Sequence, residues 1–335
     1  MNRVACLLIL LAAIPATGAT LFDEDSVLEI TLRGPLSSVI ADKRRREERS
    51  FTFIAGGRSF DVAVRIRGNS RVTACAFPPL RLDFEPQELA GSPLEGEDKL
   101  KLVTHCRNRS ERAQDAVLNE FAAYRIFNLL SERSYRVRLL RIRYEDTDGK
   151  QSSPEIPPYG FLIESDVGLA RRLGGTVEKI DGLRFSELDM EQAATISIFQ
   201  YLIGNKDWSF VKAENDDSCC HNLDLLRVNG ALVPLPYDFD LAAMTRARYR
   251  HSARLNLSTR REYSGYCRTP TDALAAALER ARQRQAQILS ALAAVPALDE
   301  SSRERRVAFV EEFFAEADDP GALLNQFARD CVGSR

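Results

Sequence analysis

The segment FDVAVRIR at residues 60–67 alternates strictly between apolar and polar side chains. Its four apolar side chains share one face of an extended chain, which is the pattern of a half-buried β-strand. Gly-Asn-Ser at 68–70 ends this strand with a turn. Similar strand patterns occur nearby, at 26–32, 51–54, 80–84 and 100–103. The N-terminal half is therefore predicted to begin as an antiparallel sheet.

The hydrophobic period changes from two residues to three or four at 113–130, which predicts an amphipathic helix. Strand patterns return at 135–144 and 159–163. Strands, one helix and then strands again are the order of an α+β sheet with a helix laid across it. This part of the chain is predicted to form a sheet lobe.

The second half is predicted to be mainly helical. A helix over 189–203 is broken by Gly204-Asn205, and a hairpin follows at 222–236 with its turn at Asn229-Gly230. Tyr-Asp-Phe-Asp at 237–240 comes directly after the hairpin. The remaining apolar periodicity predicts three helices, over 272–295, 301–317 and 321–330.

The first nineteen residues, MNRVACLLILLAAIPATGA, have a basic start, a short apolar run and small residues before a predicted cleavage after Ala19. This is the pattern of a secretory signal peptide. No later segment is long and uncharged enough to span a bilayer, so no transmembrane segment is expected after signal removal. We predict an exported protein that is periplasmic, secreted or at the cell surface.

The composition is nearly neutral, with 46 Lys and Arg against 48 Asp and Glu. Such a balance argues against a dedicated nucleic-acid-binding protein. Six cysteines follow the signal, and an even number in an exported protein predicts up to three disulfides. Cys219 and Cys220 are adjacent and are expected each to pair elsewhere, although a Cys-Cys-His metal site with His221 is a sharper alternative.

The candidate chemistry lies between residues 204 and 240. Asp207 follows a predicted helix, where it could act as a base, and Asn222 begins the hairpin. Asp238 and Asp240 are two carboxylates at the end of an apolar strand, where a cation would offset their repulsion. Oxygen ligands favour Mg²⁺ or Mn²⁺. A glycosyltransferase or a metal-dependent hydrolase could use the same aspartates, but the preceding hairpin and the scarcity of histidines count against them.

Eight sequence blocks resemble the spore-coat protein H (CotH) family of atypical kinases. The most specific feature is the order of GNKDWS, then His-Asn, then Asp-x-Asp. The blocks are VRIRGNS (64–70), PPLRLDF (78–84), LEGEDKLKLV (94–103), NEFAAYRIFNLL (119–130), YGFLIESD (159–166), GNKDWS (204–209), CHNLDLL (220–226) and PLPYDFDL (234–241).

The resemblance implies a protein-kinase-like bilobal fold, with an antiparallel sheet lobe over about 20–165 and a helical lobe over about 166–335, forming a single domain. It also implies ATP as the donor, Mg²⁺ or Mn²⁺ as the metal, and a protein as the substrate. Asp207 resembles the catalytic aspartate, and Asn222 and Asp238 resemble the metal-binding pair, with Asp240 as a second acidic neighbour.

The resemblance also assigns roles in nucleotide binding to four more residues. The cation of the sheet lobe falls at Arg81 or Lys101 and the helix glutamate at Glu120, while Glu164 ends the segment expected to meet adenine. The chain has no GxGxxG loop, which is a departure from ordinary kinases. A catalytically inactive pseudokinase or binding scaffold is therefore the alternative. A group of arginines after the Asp-x-Asp motif is a candidate site for an acidic acceptor: Arg246, Arg248, Arg250 and Arg254.

Overall fold

The computed structural model of the protein describes residues 20–150, 157–211, 219–245 and 261–333. Seven strands of the N-terminal half form one sheet: β1 (Leu28–Gly34), β2 (Arg49–Ala55), β3 (Arg58–Ile66), β4 (Leu80–Phe84), β5 (Lys99–Val103), β6 (Val137–Asp146) and β7 (Tyr159–Ile163). The sheet closes into a barrel with the strand order β1-β2-β3-β4-β5-β7-β6. Every neighbouring pair is antiparallel except β1 and β6, which are parallel.

The predicted kinase-like bilobal fold with an antiparallel sheet lobe is wrong, because the sheet is a closed barrel with one parallel pair. The sheet has no free edge, because β1 pairs with β6 along its whole length, from Leu28 opposite Leu140 to Gly34 opposite Asp146. The two-residue alternation that predicted the strands is the same in an open sheet and in a barrel, since it reports only which face each side chain occupies. Closure depends instead on a pairing between segments more than a hundred residues apart.

The barrel separates two hydrophobic cores. Its interior holds side chains such as Val64, Leu82, Leu102, Ile142 and Leu162. The outer faces of β5, β6 and β7 contribute to a second core, which they share with the helices and with the smaller sheet. Because β7 is buried on both faces, the barrel is attached to the rest of the molecule by apolar packing along this strand.

A second, three-stranded antiparallel sheet has the order β10-β9-β8. Its strands are β8 (Thr176–Glu178), β9 (Leu223–Val228) and β10 (Ala231–Pro236). The helices are α1 (Leu36–Ala41), α2 (Ser70–Ala74), α3 (Glu111–Leu130), α4 (Asp166–Leu173), α5 (Met190–Ile203), α6 (Thr271–Gln283), α7 (Gln285–Ala294), α8 (Glu300–Ala317) and α9 (Pro320–Asp330). The second sheet packs against α4 and α5.

Most of the elements predicted from periodicity are present, and β4 and β7 have the predicted bounds. The helix predicted over 272–295 is divided at Arg284 into α6 and α7. The short elements α1, α2, α4 and β8 were not predicted, because helices of five to eight residues cover only about two turns and a three-residue strand shows little alternation. No helix among the described residues is long and apolar enough to cross a membrane. The predicted signal peptide and the four arginines at 246–254 lie outside the described residues.

Three disulfides are present, in agreement with the number predicted from the cysteine count. They join Cys75 to Cys106, Cys219 to Cys220 and Cys267 to Cys331. The expectation that Cys219 and Cys220 each pair elsewhere is wrong, because the two adjacent residues pair with each other. Their thiols are consumed in that bond, so the alternative of a Cys-Cys-His metal site is contradicted as well.

Candidate functional site

Asp207 lies in the loop after α5, as the sequence predicted. The buried side chain of Asn205 organises this loop: its Oδ1 accepts from the Asp207 N–H at 3.0 Å, and its amide donates to Gln200 at 2.9 Å. The indole N–H of Trp208 donates to the carbonyl of Asn205 at 3.2 Å. These bonds hold the Asp207 loop against the end of the helix.

Two neighbouring side chains orient the carboxylate of Asp207. Nε2 of His221 lies 2.9 Å from Oδ1, and the amide of Asn222 donates to Oδ2 at 2.9 Å and to the Asp207 carbonyl at 2.6 Å. An ionised carboxylate only accepts, so His221 donates from its Nε2–H. The Asp207 side chain is 29% exposed. Each of its oxygens has a second lone pair, and the carboxylate can therefore accept a proton from an incoming group.

The β9–β10 hairpin brings Asn222 next to the Asp238 segment. Leu223 lies opposite Pro236 in the strand register, and beyond this pair the N–H of Tyr237 donates to the Asn222 carbonyl at 3.1 Å. Asn222 and Asp238 both have left-handed backbone conformations, with φ of 54° and 61°. Such conformations are uncommon for residues other than glycine and cluster at functional sites.

Arg71 is at the centre of a buried cluster of charges. It donates to Glu120 at 2.9 and 3.0 Å, to Asp238 at 2.8 Å and to Asp240 at 2.8 Å. Burial raises the pKa of Glu120 and of Asp240, and the positive charge of Arg71 opposes both rises. The side chains of Glu120 and Asp240 are almost inaccessible, whereas that of Asp238 is 42% exposed. Asp238 is therefore the member of this cluster that can meet a ligand.

The outer surface of β3, β4 and β5 carries a row of cations. Arg81 lies directly opposite Arg65 on one side and Lys101 on the other, and opposed residues point to the same face of a sheet. Arg67 follows Arg65 by two residues and so continues on the same side. We call these four residues the cationic face. It contains both cations that the sequence assigned to nucleotide binding.

The cationic face meets the Asp238 segment at Lys101 and Arg67. Nζ of Lys101 lies 2.7 Å from Asp166 and 5.5 Å from the ring centroid of Tyr237, the residue before Asp238. Burial raises the pKa of Tyr237 and of Asp224, and the nearby positive charge of Arg67 opposes both rises. Within the described residues, the Arg67 side chain makes no hydrogen bond or ion pair, so it has donors for an anion.

Glu164 is at the end of β7, and its polar groups have partners. Its carboxylate accepts two bonds from Arg172, at 2.9 and 2.8 Å, and one from the Arg136 N–H at 3.1 Å. Its own N–H donates to the Arg136 carbonyl at 2.9 Å. In this structure Glu164 fixes α4 against the barrel. Adenine could bond to the polar groups of Glu164 only by replacing Arg172 or Arg136 as their partner. The role of Glu164 in nucleotide binding stays a prediction.

Two oxygens near Asp207 are of the kind that a small hard cation prefers as ligands. Asp238 Oδ2 and Asn222 Oδ1 have no hydrogen-bond partner among the described residues, and they belong to segments joined by the Tyr237–Asn222 bond. Mg²⁺ is commonly bound through one or two protein oxygens, with phosphate and water as its other ligands. Within the same part of the chain, no group of three or more His, Cys, Asp or Glu side chains could hold a metal. Asp240 is buried and bonded to Arg71, which also bonds to Asp238.

Sequence reasoning missed three residues of this site. Arg71 follows the recognised turn at 68–70, but nothing in its spacing indicated a partnership with carboxylates at 120, 238 and 240. Arg67 was interpreted only as the polar side of a strand. His221 was considered as a metal ligand, whereas it contacts Asp207. The two-residue alternation of the strand contained a signal for Arg67, because it places that side chain on the face of Arg65.

Two comparisons with known proteins bear on this site. A comparison with models of protein families finds no family that matches the chain. A comparison with curated proteins finds no similar sequence. The resemblance to CotH kinases therefore stays a hypothesis.

Proposed function

We propose that the protein is an exported, metal-dependent phosphotransferase that moves the γ-phosphoryl group of ATP to a hydroxyl group of a protein substrate. Phosphoryl transfer requires a positioned acceptor and positive charge around the phosphate oxygens. The cluster of Asp207, Asn222 and Asp238 beside the cationic face supplies groups of both kinds. The activity is proposed on this site and on the sequence resemblance, without the kinase-like bilobal fold.

One observation carries the proposal: Asp207, Asn222 and Asp238 are separated in sequence but belong to one connected group. Asn222 donates to the Asp207 carboxylate, and its carbonyl accepts from the peptide that leads into Asp238. The left-handed conformations of Asn222 and Asp238 are costly for residues with a Cβ.

The residues have distinct roles in the proposed reaction. Asp207 takes the proton of the acceptor hydroxyl, and His221 and Asn222 orient its carboxylate. The hydroxyl oxygen forms a bond to the γ-phosphorus while the bond from that phosphorus to the β,γ-bridging oxygen breaks, and ADP leaves. Arg67, Arg81 and Lys101 offset the phosphate charge. Asn222 and Asp238 would hold Mg²⁺ or Mn²⁺, which supplies further positive charge to the phosphate oxygens.

The test uses the mature, disulfide-bonded protein with labelled ATP, Mn²⁺ or Mg²⁺ and a generic protein acceptor. We expect metal-dependent labelling of the acceptor or of the protein itself. Asp207→Asn should lower the rate by about 10²–10⁴-fold, which is the usual contribution of an acid–base group. Asp238→Asn should abolish the metal-dependent labelling, whereas the exposed control Asp61→Asn should behave as the wild type. Equal labelling in all four proteins would contradict the proposal.

The second candidate is a catalytically inactive scaffold, and the Arg71 cluster favours it. Arg71 pairs with both Asp238 and Asp240, so part of the repulsion between these carboxylates is offset without a metal. The two candidates differ in binding as well as in turnover. A scaffold predicts no labelling, and no metal-dependent increase in melting temperature with ATP, ADP or a non-hydrolysable analogue.

The proposed location is outside the cytosol. Three disulfides are typical of proteins in an oxidising environment. We propose that residues 1–19 are removed and that the mature chain is periplasmic, secreted or at the cell surface. Detection of the mature chain in periplasmic or secreted fractions, with its N-terminus after Ala19, would test both.

A further inference from the structure

Arg71 also lines a pocket that contains two further arginines, Arg107 and Arg112. It lies between the start of α3 and the loop before it. Arg107 and Arg112 contribute positive charge that no carboxylate of the lining pairs with, and Ser110 contributes a hydroxyl group. Glu120 is the carboxylate in the lining, and Arg71 is bonded to it at 2.9 Å. The pocket therefore has an excess of positive charge.

Two of these arginines have no carboxylate of their own. Arg107 and Arg112 are exposed, and neither side chain forms an ion pair or a hydrogen bond with any residue that the structure describes. Surface arginines without carboxylates raise the local positive potential and attract anions. Both lie within three residues of Ser110, whose hydroxyl oxygen accepts from the Ala113 N–H at 3.3 Å. The Ser110 hydroxyl proton is then available for a ligand in the pocket.

A disulfide holds the two sides of the pocket together. Cys75 follows α2, the helix that contains Arg71, and Cys106 precedes Arg107. The strand-like pairing of Phe77 with Cys106 adds a backbone bond of 2.9 Å between the same segments. The backbone segments that carry Arg71 and Arg107 are therefore held together before any ligand arrives, which lowers the entropic cost of binding.

We propose that this pocket is a binding site for a phosphate or sulfate group. Arginine binds such tetrahedral anions through paired N–H donors, and the pocket presents the guanidinium groups of Arg107 and Arg112 beside the Ser110 hydroxyl. The group could be a free ion or the phosphorylated side chain of another polypeptide. Asp238 is not among the residues that line this pocket, and the existence of the site does not depend on the phosphotransferase activity.

The test measures binding of inorganic phosphate and of sulfate to the mature, disulfide-bonded protein by titration calorimetry. The titrations are made at constant ionic strength, without nucleotide or metal, so the result is independent of the proposed function. We expect saturable binding to the wild type. In Arg107→Gln/Arg112→Gln the affinity should fall more than about tenfold, because two charge-assisted hydrogen-bonding groups are lost.

The matched control is Arg284→Gln/Arg329→Gln. It removes the same charge from two exposed arginines on the C-terminal helices and should keep the wild-type affinity. Absence of saturable binding to the wild type, or equal affinities in the pocket variant and the control, would overturn the proposal. A phosphoserine peptide that binds tighter than phosphate supports the site and identifies the source as a polypeptide. A peptide that binds no tighter supports the site and identifies the free ion.

Discussion

Arg71 illustrates how much one residue can organise at the centre of the site. It is buried and donates to Glu120, Asp238 and Asp240, which come from three separate parts of the chain. Removal of one partner from a buried ion pair usually costs more than the pair contributes, because the other charge stays buried without compensation. Arg71 is therefore expected to matter for stability whether or not the protein is an enzyme.

We predict that Arg71→Met lowers the free energy of unfolding by about 3–5 kcal/mol at pH 7. Burial raises the pKa of Glu120 and of Asp240. Without Arg71 these values rise further, so the stability of the variant should be lost as the pH increases and partly recovered in acid. Urea unfolding followed by the fluorescence of Trp208, the single tryptophan, measures the effect.

Two further variants make this prediction specific. Glu120→Gln/Asp240→Asn in the Arg71→Met background removes the uncompensated charges and should restore part of the stability. Arg143→Met, at an exposed position on β6, should have little effect. A loss of similar size in Arg143→Met, or no recovery in the triple variant, would show that Arg71 does not act through these carboxylates.

The buried carboxyl group of Glu97 should make the stability of the protein depend on pH. Burial, assisted by the negative charge of Glu164, raises the pKa of Glu97 from 4.5 to about 7. Its Oε2 is buried without a hydrogen-bond partner among the described residues. A raised pKa in the folded protein means that the protonated form favours folding. Its contribution is therefore complete below about pH 4.5 and is lost as the pH rises through about 7.

The corresponding variant is Glu97→Gln, which cannot ionise. We expect it to match the wild type near pH 4 and to be more stable at pH 8 by about 1–3 kcal/mol, given the partial burial of the site. Urea unfolding across this range tests the difference, and Glu88→Gln at an exposed position is the control. A difference that stays constant from pH 4 to pH 8 would refute the assignment.

At the scale of elements, Gly204 connects α5 to the site. It has φ of +65°, and a Cβ at this position would lie 2.8 Å from Cβ of Ala243 and 3.3 Å from Cζ of Phe309. Its carbonyl accepts from the Ala243 N–H at 3.0 Å, which attaches the segment after Asp240 to the helix end. Glycine is required here both for the left-handed conformation and for the close approach.

Gly204→Ala should therefore reduce stability by about 1–3 kcal/mol, since it combines an unfavourable φ with a steric clash. It should also lower the proposed phosphotransferase rate, because the Asp207 loop and the segment after Asp240 both depend on this contact. Gly182→Ala is the matched control, as nothing lies within 4 Å of its added Cβ. Equal unfolding free energies for the two variants would contradict the prediction.

At the scale of the whole molecule, barrel closure distinguishes this fold from the one that the sequence suggested. In the barrel, β1 has a hydrogen-bonded neighbour on each side, β2 and β6. In an open sheet one side of β1 would face solvent. The amide groups of a strand point alternately to its two neighbours, so closure should protect both sets.

Hydrogen exchange followed residue by residue tests closure directly. We expect slow exchange at consecutive amides of Ile30–Arg33, with protection approaching that of the global unfolding reaction. The hairpin tip at Asn229-Gly230 provides the fast-exchanging reference. Fast exchange at alternate residues of β1 would mean that the edge is free and that the barrel is open.

The sequence alone determined most of the individual elements and the local order of the candidate site. Alternation predicted the strands, a period of three to four residues predicted the long helices, and Asn-Gly predicted the hairpin at 229–230. These signals are local, because each depends on the side chains within one element. The order of Asp207, Asn222 and Asp238 was also recognised, because the order of residues along the chain is a property of the sequence itself.

Only the tertiary structure decided how these elements combine. The β1–β6 pairing, the bond between Cys219 and Cys220 and the position of Arg71 among three carboxylates all depend on which groups meet in space. Periodicity reports the face on which a side chain lies but not the element that covers that face. The strands were therefore predictable, whereas the closed barrel and the charge cluster beside it were decided by long-range packing and electrostatics.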